Sequence, residues 1–299
     1  MLRGIATIIL LLLNLLLWGT AVMLLGIVKF AVHMTAPRSR LRTRVIRALG
    51  GLAERWVAGN DRIFERMLPT RWDVEGPFAG IKPDGRYLII SNHVSWVDIF
   101  VISRVFHGRA AFIRFFLKQQ LIWFPIVGQA AWALEFPFMR RYSAEYLQRH
   151  PEKRGRDLET TRRACQRYRH IPVAMLTFLE GTRFSEEKRA DQESPYQYLL
   201  RPRVGAIAFV LASLGDQLDG VFDVTLAYPG RDVTFWQFVC GCVPTIVVRV
   251  RRLDVPSEFF APEITEPGPA RDQFKTWIDS IWREKDALLI SECGGLPPL

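Results

Sequence analysis

A chain of 299 residues, 49% of them hydrophobic and 23% charged, is too apolar for wholesale disorder and long enough to bury one large core or two modest ones. Its net charge of +10 rules out an acidic solvating protein and suits three kinds of partner: nucleic acid, anionic lipid surfaces and phosphate-bearing substrates. Cys165, Cys240, Cys242 and Cys293 are scattered, the close pair is too tight for an ordinary zinc half-site, and all four read as reduced thiols.

From Gly4 to Val28 the chain runs 25 residues without a charge, more than the ~20 a helix needs to cross a bilayer core. A cleavable signal peptide is the rival, but its apolar region is normally shorter and no small-x-small site precedes a polar mature start. Residues 1–34 are therefore expected to form a retained anchor, either spanning or turned back as a hairpin at Gly19 or Gly26. Lys29, Arg38, Arg40, Arg42, Arg44 and Arg47 follow it, against Arg3 and the amino terminus before it. That bias places the body of the protein on the cytoplasmic side.

A basic juxtamembrane segment, 35–70, carries apolar residues at helical spacing over 45–68, and an α/β domain is expected over 71–299. Within it, 72–74 and 87–91 read as strands, 97–105 as a helix and 111–117 as extended. Residues 145–169 hold eight Lys or Arg and four Asp or Glu, and read as a loop followed by a solvated helix. Strands follow at 173–178 and 222–228, with an apolar helix between them over 203–214. At 245–253 Ile246, Val248 and Val250 alternate with Val247, Arg249 and Arg251, a pattern expected of a strand nearer an edge. Phe274, Trp277, Ile278, Ile281 and Leu288 mark a carboxyl-terminal helix docked by one face. The alternation predicts an α/β fold, a mixed, mostly parallel sheet flanked by helices, with an amino-terminal membrane helix or helical hairpin.

Two polar clusters follow predicted strands, where open α/β sheets collect their chemistry. The first is Asn92-His93-Val94-Ser95-Trp96-Val97-Asp98. Five positions on one helix rotate two side chains ~140° apart, so His93 and Asp98 meet only if the chain turns before the helix begins. Asp98 then fixes the imidazole tautomer and leaves the other nitrogen as a base. Ser95 reads as a cap rather than a nucleophile, which leaves the substrate's own hydroxyl as the nucleophile. The second cluster, Glu180-Gly181-Thr182-Arg183, offers a planar guanidinium suited to phosphate, a glycine that lets backbone approach an anion, and a carboxylate that braces Arg183 or meets a substrate hydroxyl.

These blocks resemble the glycerolipid acyltransferase family, whose first block matches Asn92-His93 with Asp98 and whose third matches Phe178 to Arg183, with Leu179 where proline is usual. Lys118, Leu121, Pro125, Gly128 and Phe138-Met139-Arg140-Arg141 resemble its second block, Val224 to Pro229 its fourth, and Leu200 to Gly205 a further basic-Pro-basic segment. The resemblance runs from about residue 87 to 229 and implies an O-acyltransferase. It would move a fatty acyl group from acyl-CoA or acyl-acyl carrier protein to a lysophospholipid. The acceptor implied is 1-acyl-glycerol-3-phosphate, giving phosphatidic acid, with lysophosphatidylglycerol and lysophosphatidylinositol as alternatives. It implies His93 as general base and Asp98 as its orienter, with Glu180, Gly181, Thr182, Arg183 and Arg141 holding the acceptor. Pro229 would shape the donor pocket, and Arg201 and Arg203 would contact phosphates. No metal or redox cofactor is needed for thioester chemistry, and a bacterial inner membrane is the expected location.

Three other readings compete. A membrane-tethered nucleic-acid module explains the charge, but the basic residues lack the aromatic interleaving of stacking platforms. The same His/Asp pair activating water would make a thioesterase or lipid hydrolase. A metal phosphoesterase lacks a second His/Asp cluster. Oligomeric state leaves no trace in the sequence.

Overall fold

The computed structural model describes residues 1–36, 39–139, 149, 163–169, 171–230 and 233–294. Six strands form the main sheet: β1 (Arg71–Glu75), β2 (Arg86–Ser91), β3 (Ile113–Phe115), β6 (Val173–Phe178), β7 (Gly220–Ala227) and β8 (Thr245–Leu253). Their order is β1-β8-β7-β2-β6-β3, parallel at every pairing except the antiparallel β7–β8. The short strands β4 (Leu117–Lys118) and β5 (Phe138–Met139) pair separately.

Side chains of β2 alternate between two cores, as the two-residue period of a strand requires. Leu88 and Ile90 enter one with Met175, Ile207, Leu211, Phe274 and Trp282. Tyr87 and Ile89 enter the other with Val101, Phe106, Phe222 and Phe238. Helices α6 (Val204–Leu214) and α8 (Pro269–Glu292) cover the first face. Helices α3 (Asp98–Phe106) and α7 (Phe235–Val239) cover the second. A parallel centre buried on both faces explains why β2 and β6 read as unbroken apolar runs.

At the amino terminus α1 (Leu2–Thr35) and α2 (Arg40–Met67) pack on each other, and α1 also packs on α4 (Val127–Ala133) and α7. α1 runs unbroken through Gly19 and Gly26, so the chain does not turn back at either glycine. Gly19 and Gly26 instead allow close approach: a Cβ there would lie 2.7 Å from Ile126 and 2.6 Å from the Ala133 Cβ. Asn14 faces α2, its amide donating to the Trp56 carbonyl and to Asn60 Oδ1, each at 2.9 Å.

Two expectations change. β8 is not an edge strand; it lies between β1 and β7. Its arginines point to paired carboxylates rather than to water, Arg249 to Asp73 and Glu292, Arg251 to Asp223 and Glu284. Most of 145–169 lies outside the described residues, but Ala164, Cys165 and Tyr168 of its helical end are buried rather than solvated.

Candidate active site

β7, β2 and β6 lie side by side and parallel, so their carboxyl ends open on one edge of the sheet. Asn92, the residue after β2, locks this edge. Its buried side chain accepts from Leu226 N and donates to Leu226 O, both at 2.9 Å, standing in for one more rung of the β2–β7 ladder.

The chain then turns over 92–97, and α3 begins at Asp98. This delay brings His93 Nδ1 to 2.8 Å from Asp98 Oδ2. The same oxygen accepts the backbone N–H groups of Val94 at 2.7 Å and Ser95 at 2.9 Å. Its partner Oδ1 accepts the Tyr228 hydroxyl at 2.6 Å. Three donors thus converge on Oδ2 and one on Oδ1 of a carboxylate that is wholly buried at a helix amino terminus. Burial and the neighbouring Asp98 push the Tyr228 hydroxyl well above its ordinary value, so it remains a donor. The Ser95 hydroxyl is buried and accepts from Val97 N at 3.3 Å, the geometry of a turn cap. The His93 ring stacks on Phe178 with centroids 4.0 Å apart, and with Nδ1 committed to Asp98 its free lone pair is on Nε2.

Glu180 faces inward. Only 1% exposed, it accepts from His93 N at 2.7 Å with one oxygen and from Leu200 N at 3.0 Å with the other. It forms no ion pair with Arg183, so the expected brace is absent. Burial raises its carboxyl to about 8, against the two N–H donors that lower it. Gly181 follows at φ +69°, a conformation that costs a residue with a Cβ, and this turn sends residue 180 inward and Arg183 outward. A Cβ on Gly181 would also meet the Arg203 side chain at 3.0 Å.

Arg183 is exposed, its guanidinium 5.0 Å over the ring of Trp96, and no acidic side chain among the described residues pairs with it. The Thr182 hydroxyl accepts from Lys188 Nζ at 3.0 Å, at the start of α5 (Glu186–Asp191). Leu179, in the place of the usual proline, has a use for its N–H: it donates to Ser91 O at 3.3 Å, while its carbonyl accepts from Arg203 N at 2.7 Å.

Thus the structure gathers His93, Asp98, Glu180, Gly181, Arg183 and Arg203 around the ends of β2 and β6, with Phe184 N donating to His93 O at 2.8 Å across the two loops. Pro229 is half-buried beside Tyr228. Arg201 turns away, its guanidinium donating to the carbonyls of Gln192 and Glu193. Arg141 lies outside the described residues. Tyr228 and Trp96 enter as partners that spacing alone did not single out. Among the described residues no group of three or more His, Cys, Asp or Glu is arranged to hold a metal ion.

The family model "Acyltransferase" matches residues 72–228, from β1 to the end of β7. Lysocardiolipin acyltransferase 1 of Danio rerio is 29% identical over 250 residues, 78% of this chain and 59% of the relative. The 1-acyl-sn-glycerol-3-phosphate acyltransferase epsilon of Mus musculus is 24% identical over 230 residues, 68% of this chain and 57% of the relative. A probable 1-acyl-sn-glycerol-3-phosphate acyltransferase 5 of Arabidopsis thaliana is 25% identical over 249 residues, 78% of this chain and 60% of the relative. The chain spans between 57% and 62% of the length of such relatives. With a family match over more than half its residues, and with that match enclosing both clusters at the sheet edge, the chain belongs to the glycerolipid acyltransferase family.

Proposed function

We propose that the protein transfers a fatty acyl group from a thioester, acyl-CoA or acyl-acyl carrier protein, to the free hydroxyl of a lysophospholipid. The observation that carries this reading is the His93 Nδ1–Asp98 contact at 2.8 Å, on a loop bonded to that of an exposed Arg183 with no acidic partner among the described residues. Asp98 holds the Nδ1–H tautomer, and Nε2 takes the proton of the acceptor hydroxyl as its oxygen attacks the thioester carbonyl. The tetrahedral oxyanion collapses, the C–S bond breaks, and the imidazolium returns the proton to the departing thiolate. A base of this kind supplies ~10²–10⁴-fold in rate. A planar guanidinium suits the acceptor phosphate, and we assign that role to Arg183 and Arg203, and to Arg141 on the sequence resemblance alone. Gly181 and Thr182 would shape the turn that carries them. Pro229 would line the donor pocket. Thioester chemistry of this kind calls for no metal or redox cofactor.

The named relatives carry names that point to lysocardiolipin and 1-acyl-glycerol-3-phosphate, both of which present a phosphate near a glycerol hydroxyl. We take 1-acyl-glycerol-3-phosphate, yielding phosphatidic acid, as the acceptor.

The membrane location is also a proposal. Among the described residues α1 alone is long and apolar enough to cross a membrane. Its inward side packs on the body all along its length, from Gly4 against Trp236 and Cys240 to Gly26 against Ala133. Leu2, Ile9, Leu13, Leu17, Leu24 and Ile27 form one exposed stripe on the opposite side, and Trp132 continues it beside Phe30. One-sided exposure supports a helix lying along the bilayer surface with the domain on the cytoplasmic face, in bacteria that of the inner membrane.

The test is His93→Ala in purified membranes with labelled acyl donor. Loss of transfer by ~10²-fold or more is expected; retention within twofold of wild type would sink the role of His93. Free fatty acid as the only labelled product of the wild type would make the chain a hydrolase instead.

A further inference from the structure

We infer that Trp282 and Asp286 of α8 are positioning residues for the acceptor site, acting through the irregular segment 194–203. The inference rests on the acyl-transfer reading above, and it concerns a helix that lies beyond the region matched by the family, 72–228.

The segment joins α5 to α6 with no strand of its own, so its backbone polar groups need other partners. One set comes from the site. Leu200 N donates to Glu180 at 3.0 Å and Arg203 N donates to Leu179 O at 2.7 Å. The other set comes from α8. Asp286 accepts from Gln197 N and Tyr198 N, each at 2.8 Å, and Trp282 Nε1 donates to Leu200 O at 3.0 Å. Trp282 and Asp286 are four residues apart, hence on one face of the helix. Both are buried.

Leu200 is the crossing point. Its carbonyl answers to Trp282 and its N–H to Glu180, whose other oxygen holds His93 N at 2.7 Å. Downstream of it come Arg201 and Arg203, and the Arg203 side chain lies against Gly181. α8 itself is fixed to the sheet between these two contacts. Lys285, fully buried, pairs with Asp223 at 2.7 Å and donates to Val224 O at 2.6 Å. The helix is therefore a rigid reference for the segment. The charge-assisted bonds that Asp286 accepts from Gln197 N and Tyr198 N are the stronger half of that hold. A displacement of about 1 Å at such a site can cost ~10²-fold in rate when it moves binding groups.

The experiment compares wild type, Asp286→Asn and Trp282→Phe, each as full chain in phospholipid vesicles with 1-acyl-glycerol-3-phosphate and acyl-CoA. Asp286→Asn replaces one acceptor by a donor; Trp282→Phe keeps an aromatic side chain, smaller by the pyrrole ring, and removes the N–H. Both variants are expected to raise the acceptor KM about fivefold or more while the donor KM stays within twofold. A structural role alone lowers kcat with the folded fraction and moves neither KM, and that result would overturn the inference. Equilibrium binding of 1-acyl-glycerol-3-phosphate should weaken by the same factor, whether or not transfer occurs. A wild type that transfers nothing counts against the acyl-transfer reading, and unchanged binding in both variants counts against this one.

Discussion

Glu180 accepts the backbone N–H of His93 at 2.7 Å, across 87 positions of sequence. This bond ties the imidazole loop to the arginine loop, and it does so with a carboxyl that burial has raised to about 8. The folded chain holds this proton more tightly than the unfolded one, whose carboxyl has the ordinary value of 4.5. The stabilisation is complete below the unfolded value and is lost as pH rises through about 8. Thermal midpoints of the wild type should therefore fall by several degrees between pH 5.5 and 8.5 relative to those of Glu180→Gln. Parallel curves for the two proteins would show that the carboxyl is not raised.

Tyr228 supplies one of four donors to Asp98, and the bond is short at 2.6 Å. Tyr228→Phe removes the hydroxyl and keeps the ring in its buried place. Hydrogen bonds to a charged group contribute ~1.5–3 kcal/mol, so a kcat lower by ~10-fold is expected, with acceptor KM within twofold. A variant as fast as wild type would mean that the three remaining donors orient Asp98 alone.

Arg183 stacks 5.0 Å over Trp96 and has no carboxylate partner among the described residues. Its fork is therefore free for an anion. Arg183→Lys keeps the charge and loses the bidentate geometry, and the acceptor KM should rise by ~10-fold. Trp96→Ala leaves the arginine but frees it; an exposed cation–π contact is worth ~0.5–1 kcal/mol, which predicts a ~2–5-fold rise. Equal KM values across the three proteins would remove this pair from the phosphate site.

Legibility in the sequence followed from whether a partner was local. β2 and β6 were readable because a strand covered on both faces must be apolar throughout, and the His93–Asp98 meeting followed from the impossibility of their contact on a continuous helix. Glu180 misled because an acid three places from an arginine reads as an ion pair. The positive φ of Gly181 that separates them has no signature beyond the glycine itself. Arg249 and Arg251 suggested an edge, since Asp73, Asp223, Glu284 and Glu292 reach them from distant positions. The length of α1 was plain from composition, but its one-sided packing depends on α4 and α7, and those short helices carry no sign of their partner.

That packing makes a last prediction. A helix of 34 residues is ~51 Å long, well above the ~30 Å of a bilayer core. Spanning along that whole length would drag α4, α7 and the arginine-rich α2 into hydrocarbon, because all three contact it. Lying flat, α1 keeps Asn14 on α2 and offers lipid the exposed stripe that includes Leu13, Leu17 and Leu24. Burying such a leucine contributes ~1.5–3 kcal/mol, so Leu13→Glu and Leu24→Glu should each lower partition onto anionic vesicles by ~10-fold or more. Asn14→Leu should loosen α1 from α2 and lower thermal stability while leaving partition unchanged. The orientation has its own readout: cysteines at positions 2 and 34 should both react with an impermeant maleimide added on one side. Labelling from opposite sides would establish a span and overturn the flat arrangement.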